Sequence, residues 1–184
     1  TSTSPALSDP WLTCYSVIAQ SNNLINNLRD NVGPAVSEST IQTVIAEAHF
    51  SRGLAYFYLV RLFGNVPIIE NNLQYVDNPM INTNPVADVY TLIKRDFQYG
   101  IDHLPEKTRG SNYEENIWAS KGTAKSLLAK VHLYRKEYAE AVALSNEVIA
   151  SGEFKLLGGT DLPGKSFSDL FLIANNNNEE SIFS

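Results

Sequence analysis

The string Gly159-Thr160-Asp161-Leu162-Pro163-Gly164-Lys165-Ser166 fits the phosphate-loop pattern G-x-x-x-x-G-K-S at every fixed position. In such a loop, backbone N–H groups and the lysine cradle phosphates and the serine holds magnesium. That chemistry needs a buried strand before the loop and a long helix after it. Here the string follows a helical hairpin, with at most residues 154–157 available as a strand, and no later strand ends in an Asp for the magnesium. The expectation is a Gly/Pro-rich surface loop without a nucleotide cofactor. His49, His103 and His132 have no second His or carboxylate at metal-forming spacing in an H-E-x-x-H-like string, so no metal site is expected.

Cleavage of a glycosidic bond needs two acids at a defined separation, one with a raised pKa. Glu47 stands near Arg52 and Arg61 and is expected to form a structural ion pair with them. Asp161 and Asp169 fall in the loop, where their spacing does not set them apart from solvated charges. No G-x-S-x-G elbow occurs, and Cys14, the sole cysteine, has no recognisable base nearby in sequence. The chain is expected to be non-enzymatic.

Exposed rings flanked by amides are the residue types that could bind a ligand with apolar faces and hydroxyls. Trp118 and Tyr113 lie in the connection 110–119 with Asn112 and Asn116 beside them. They are the candidate ligand contacts, with Trp11 as a further candidate that also begins an apolar stripe. The run Tyr56-Phe57-Tyr58 is expected to be core.

These residues must be carried by helices. Asp9-Pro10 reads as an N-cap with proline at N1, followed by Trp11, Tyr15, Ile18, Asn22, Ile25 and Leu28, and stopped by Gly33-Pro34. A second helix runs from Ser39 or Thr40 to Phe63-Gly64, and its middle is apolar on every side, as in a central, buried helix. A third begins at Asn84-Pro85, carries Val86, Val89, Ile93, Phe97, Ile101 and Leu104, and is closed by Pro105. A fourth covers 119–135 and a fifth 138–151, with Gly152 as the C′ residue. The last two form a tight hairpin with Leu128-Ala129, Tyr138 and Ala141 at tetratricopeptide-like positions; the second and third helices offer a looser pair. After Phe154 the pattern gives way to loop, with residues 181–183 as a short strand. The fold class is all-α, built of tetratricopeptide-like hairpins. The 184 residues are read as one domain, with a helical core over about 9–152 and a loop-rich tail over 153–184.

The chain is 43% hydrophobic and 18% charged, with a net charge of −6. That balance opposes nucleic-acid binding, which needs a basic face. One cysteine excludes an internal disulfide and a Cys-based zinc site. No apolar run approaches the ~20 residues of a membrane-spanning helix.

Residues 46–70 carry a resemblance. Glu47-Ala48-His49-Phe50-Ser51-Arg52-Gly53-Leu54-Ala55-Tyr56-Phe57-Tyr58-Leu59-Val60-Arg61-Leu62-Phe63-Gly64-Asn65-Val66-Pro67 resembles the hallmark of the SusD/RagB family. That hallmark is an acidic-Ala-x-Phe-x-Arg start, an Ala-Tyr-Phe-Tyr-Leu core and a Phe-Gly-Asp-Val-Pro end. Asn65 replaces the usual Asp, and Gly53 the usual Ala. The segments 11–27, 88–105, 121–157, 169–171 and 179–183 follow in the family's order.

The resemblance implies an N-terminal, tetratricopeptide-containing piece of an outer-membrane lipoprotein of Bacteroidota. Such proteins sit over a SusC-like, TonB-dependent transporter and close like a lid on captured oligosaccharide. It implies a cell-surface location through a lipid anchor. Cys14 does not match the family's lipidated cysteine, because it sits inside a predicted helix. The implied function is oligosaccharide capture for import. The alternative is a tetratricopeptide-like protein–protein scaffold without sugar binding, and a third reading is an enzyme, either a nucleotide hydrolase built on the Gly159 loop or a helical glycosidase.

Overall fold

The computed structural model describes residues 5–77, 80–106, 118–173 and 178–183. The order is α1 (Pro5–Asn31), α2 (Glu38–Phe63), a 3-10 turn (Asn72–Tyr75), α3 (Val86–His103), α4 (Lys121–Tyr134), α5 (Tyr138–Ser151) and a second 3-10 turn (Phe167–Phe171). The chain is all-α and divides into two compact units, Thr1–His103 and Leu104–Ser184.

In the first unit, α2 packs against both α1 and α3. Ser37 caps α2, its Oγ accepting the Thr40 N–H at 3.1 Å, two residues earlier than the sequence suggested. Gly64 closes the helix at φ 74°, and its N–H donates to Val60 O. The central stretch is buried through Ile41, Ile45, Phe50, Tyr56, Phe57 and Leu59. Gly53 permits the contact with α3: a Cβ there would lie 3.1 Å from Asp96 Cβ and 3.4 Å from the Phe97 ring. Of the expected α3 stripe, Val89, Ile93 and Phe97 are buried, whereas Val86 and Ile101 are half-buried and Leu104 lies beyond the helix.

Three expectations for this unit need correction. First, α1 begins at Pro5, so Pro10 lies inside it rather than at N1. A proline there removes one i→i−4 hydrogen bond, close enough to the helix's N-terminus for the helix to continue through it. Second, Tyr58 is 49% exposed and not core. Successive helical residues turn by about 100°, so three consecutive rings cannot all face inward unless neighbours surround the helix. Third, the partner of Arg52 is Asp96 on α3, not Glu47.

In the second unit, α4 and α5 form the expected hairpin. Ser120 caps α4, accepting the Thr123 N–H at 3.1 Å. Gly152 ends α5 in the left-handed region at φ 66°. Gly122 lets Glu153 fold onto the α4 N-terminus; a Cβ at 122 would meet the Glu153 carboxylate at 2.3 Å. That carboxylate accepts from Ser120 Oγ and places negative charge at the positive end of the helix. Residues 181–183, expected as a strand, are irregular. They are tied down by Thr123 Oγ1 donating to Ile182 O at 2.8 Å.

Candidate functional site

Trp118 is the sequence-predicted contact that stands in water. It lies just ahead of the α4 cap, between buried Ala119 and the solvent, and is 62% exposed. An indole so placed keeps its apolar faces free, which is what a sugar's C–H face needs. Tyr113, Asn112 and Asn116 lie outside the described residues. Trp11 belongs to the first unit, half-buried on α1. Its ring stands 4.8 Å from Tyr15 and edge-on to Phe63 at 5.1 Å, so packing already uses much of it. The second unit holds a small polar pocket of about 170 Å³ beside the start of α4, lined by Glu106, Lys121, Lys125, Glu147 and Glu153 among others. Lys125 is paired there with Glu147 at 2.8 Å.

The phosphate-loop string has a different architecture from a nucleotide site. Gly158 and Leu162 form an isolated bridge, no strand precedes it among the described residues, and Ser166 leads into a five-residue 3-10 turn. Ser166 N–H donates to Asp169 Oδ2 at 2.5 Å, one half of a capping box, and its Oγ donates to the same oxygen at 3.0 Å. Lys165 Nζ lies 3.7 Å from Glu179. The residues that would serve phosphate serve the turn.

The strongest cluster of charge is one the sequence reading missed. Arg52, 2% exposed, donates from Nε and Nη2 to both oxygens of the fully buried Asp96, each at 2.8 Å, and from Nη1 to Asn22 Oδ1 at 2.8 Å. His49 Nδ1 lies 2.8 Å from Asp96 Oδ1, with its ring stacked on Tyr99 at 4.1 Å. Burial alone would push the Asp96 carboxyl up; hydrogen bonds from Arg52 and His49 overcome this and hold it below its ordinary value. Three helices thus meet at one bidentate pair, whose lone pairs and protons are satisfied as a buried ion pair requires.

The cluster also reaches the segment after α2. Asn22 Nδ2 donates to Ile69 O at 2.8 Å, Tyr15 OH to Pro67 O at 2.8 Å, and Tyr56 OH accepts Ile69 N–H at 2.7 Å. The arrangement is a brace, closed to any ligand. Glu47 lies instead in a shallow groove between α1 and α2 beside Gln20, Ser21 and Ala48, where burial pushes its carboxyl up. Cys14 sits within α1, and burial pushes its thiol up, away from nucleophilic use. His132 Nδ1 is 2.6 Å from Glu137. Among the described residues, no three His, Cys, Asp or Glu side chains gather to hold a metal, and no helix is long and apolar enough to cross a membrane.

The profile of a SusD-like family, described as starch-binding and associating with the outer membrane, matches residues 2–133. A SusD-like protein of Bacteroides ovatus is 34% identical over 96% of this chain, which covers 32% of that relative. A protein solved with xylogluco-oligosaccharide superposes with TM-score 0.82 at 31% identity, over 100% of this chain and 36% of its own. A laminarin-binding SusD-like protein gives TM-score 0.82 at 31% identity, over 95% of this chain and 36% of its own. The chain therefore spans about a third of the length of the proteins it matches.

Proposed function

This chain belongs to the SusD-like family, and from that membership we propose that it is the helical part of a non-catalytic surface protein that captures oligosaccharides. The carrying observation is the match over its whole length to a protein solved with xylogluco-oligosaccharide. Capture needs binding and a difference in affinity between two states, and no perturbed catalytic group. The proposal includes delivery to a SusC-like, TonB-dependent transporter, and a lipid-anchored place at the outer membrane. It also treats the 184 residues as a fragment of one helical domain.

Trp118 is the proposed stacking platform, supported by its exposure beside an ordered cap. Tyr113 and Asn112 are proposed beside it. Trp11 is proposed only through the part of its ring that Tyr15 and Phe63 leave open. The test is calorimetric titration of the full-length protein with neutral oligosaccharides, among them xyloglucan and laminarin fragments. Binding should weaken about tenfold or more on Trp118→Ala, since a stacked ring contributes on the order of 1 kcal/mol or more. Absence of binding to any oligosaccharide at millimolar concentration would sink capture. Unchanged binding in Trp118→Ala would remove Trp118 alone.

A further inference from the structure

Three polar side chains meet in the groove between α1 and α2 with no group of this chain to bond. Ser21 is 4% exposed, yet its hydroxyl has no hydrogen-bond partner among the described residues and opens onto the groove. Glu47 and Ser51, one helical turn apart on α2, line the same groove. Both are half-buried, and their side chains are likewise without a partner among the described residues. Elsewhere the helices settle such groups locally. Thr43, Ser126 and Ser145 each donate back to the carbonyl four residues earlier, at 3.0, 2.8 and 2.7 Å. Buried polar groups left unpaired are uncommon and costly, so three in one groove point to bonds supplied from outside.

The chemistry of the groove selects the occupant. All three groups accept hydrogen bonds, and Glu47 adds a negative charge. Burial pushes the Glu47 carboxyl up, with no cation among the described residues to pull it down. The nearby Arg52 guanidinium is committed to Asp96. A neutral polyol would serve the hydroxyls and leave the charge uncompensated in a half-buried place. A guanidinium is a planar fork suited to one carboxylate, as at Asp96, and makes no special use of two hydroxyls. A primary ammonium carries three donors on one atom and can give one to each acceptor. Val17, Leu24 and Val44 supply the apolar sides that an aliphatic stem needs.

We propose that this groove, of about 240 Å³, is a docking site for a lysine side chain of a partner polypeptide, its ammonium held by Glu47, Ser21 and Ser51. Leu24, 39% exposed, stands at the solvent edge, so the stem enters from outside and the partner's backbone stays on the rim. A groove this shallow gives a free amine few contacts, whereas a lysine arrives with its peptide groups and neighbours.

The test is calorimetric titration of the full-length protein with N-acetyl-lysine methylamide, N-acetyl-norleucine methylamide and n-butylamine. The lysine amide should bind at least tenfold more tightly than the norleucine amide, which has the stem without the ammonium. It should also bind more tightly than n-butylamine, which has the ammonium without the peptide groups. Glu47→Gln should weaken the lysine amide tenfold or more, and Ser21→Ala by a smaller factor. Equal binding of the lysine and norleucine amides overturns the proposal, as does unchanged lysine-amide binding in Glu47→Gln or its absence at millimolar concentration. Tighter binding of n-butylamine assigns the groove to a free amine and overturns the polypeptide partner.

Discussion

The two units bury opposite things. In the first, α1, α2 and α3 enclose an ion pair, Arg52–Asp96, at the centre of their contact. In the second, α4 and α5 keep small residues at their crossing and leave large apolar side chains outside, Ile149 being 77% exposed. A buried ion pair adds little stability over a hydrophobic replacement, but it penalises any arrangement that separates its members. Exposed Leu and Val penalise only the absence of a cover. The first unit thus carries its packing instructions internally, whereas the second leaves apolar surface at Leu133, Val142 and Ile149 that a cover would bury.

The sharpest way to break that contrast is Asp96→Ala. It leaves the Arg52 guanidinium buried without its counter-charge and should cost about 3–5 kcal/mol in chemical denaturation. Replacing both partners with apolar residues, Arg52→Met with Asp96→Leu, should recover most of that loss. The Asp96 carboxyl is held below its ordinary value, so its contribution is present above the unfolded carboxylate range and is lost as pH falls through the folded value. The gap between the native chain and Asp96→Asn should therefore narrow below about pH 4, read by denaturation midpoints.

A smaller effect is expected at Tyr56, whose hydroxyl accepts Ile69 N–H and donates to Ile69 O at 3.3 Å. Tyr56→Phe should cost about 1–3 kcal/mol, the penalty for an amide left unpaired in a partly buried place. Burial pushes the Tyr56 phenol up to about 12. A raised folded pKa means that the contribution is complete below the ordinary value near 10 and is lost as pH rises toward 12. Tyrosinate absorbance followed with unfolding should show this residue ionising late in the native chain. The smallest effect should come from the second unit. Ile149→Gln is expected to shift stability by no more than about 0.5 kcal/mol in this chain, as for a surface position. A loss comparable to that at Asp96 would mean that the second unit is already closed.

Helix positions were legible in the sequence because their signals are local. Gly64 and Gly152 act within one turn of the residues they punctuate. The α4–α5 hairpin followed from Leu128-Ala129, Tyr138 and Ala141, and the family chiefly from residues 46–70. What stayed hidden acts across the chain. Glu47 is five residues from Arg52 and invited a pairing, while Asp96 is 44 residues away. A signal did exist: Asp96 lies between Ile93, Phe97 and Gly100 on the buried face of α3, where an unpaired acid would be costly. Exposure of Tyr58 was hidden because composition shows that a segment is apolar, not which sector of the helix lacks a neighbour.

The brace over residues 67–72 has an evolutionary consequence. Tyr15, Asn22 and Asn26 hold this segment by the carbonyls of Pro67, Ile69 and Glu70, and Asn72 reaches back to Ala19 O. Tyr15 and Asn26 read only main chain, which nearly every amino acid presents alike, while Asn22 also reaches the Asn72 side chain at 3.1 Å. Mutational drift in the side chain of Ile69 is therefore nearly invisible to these bonds, whereas a change at Asn22 or Asn72 is felt by two elements at once. Such a joint lets part of this stretch diversify among descendants while the helices around it remain in register.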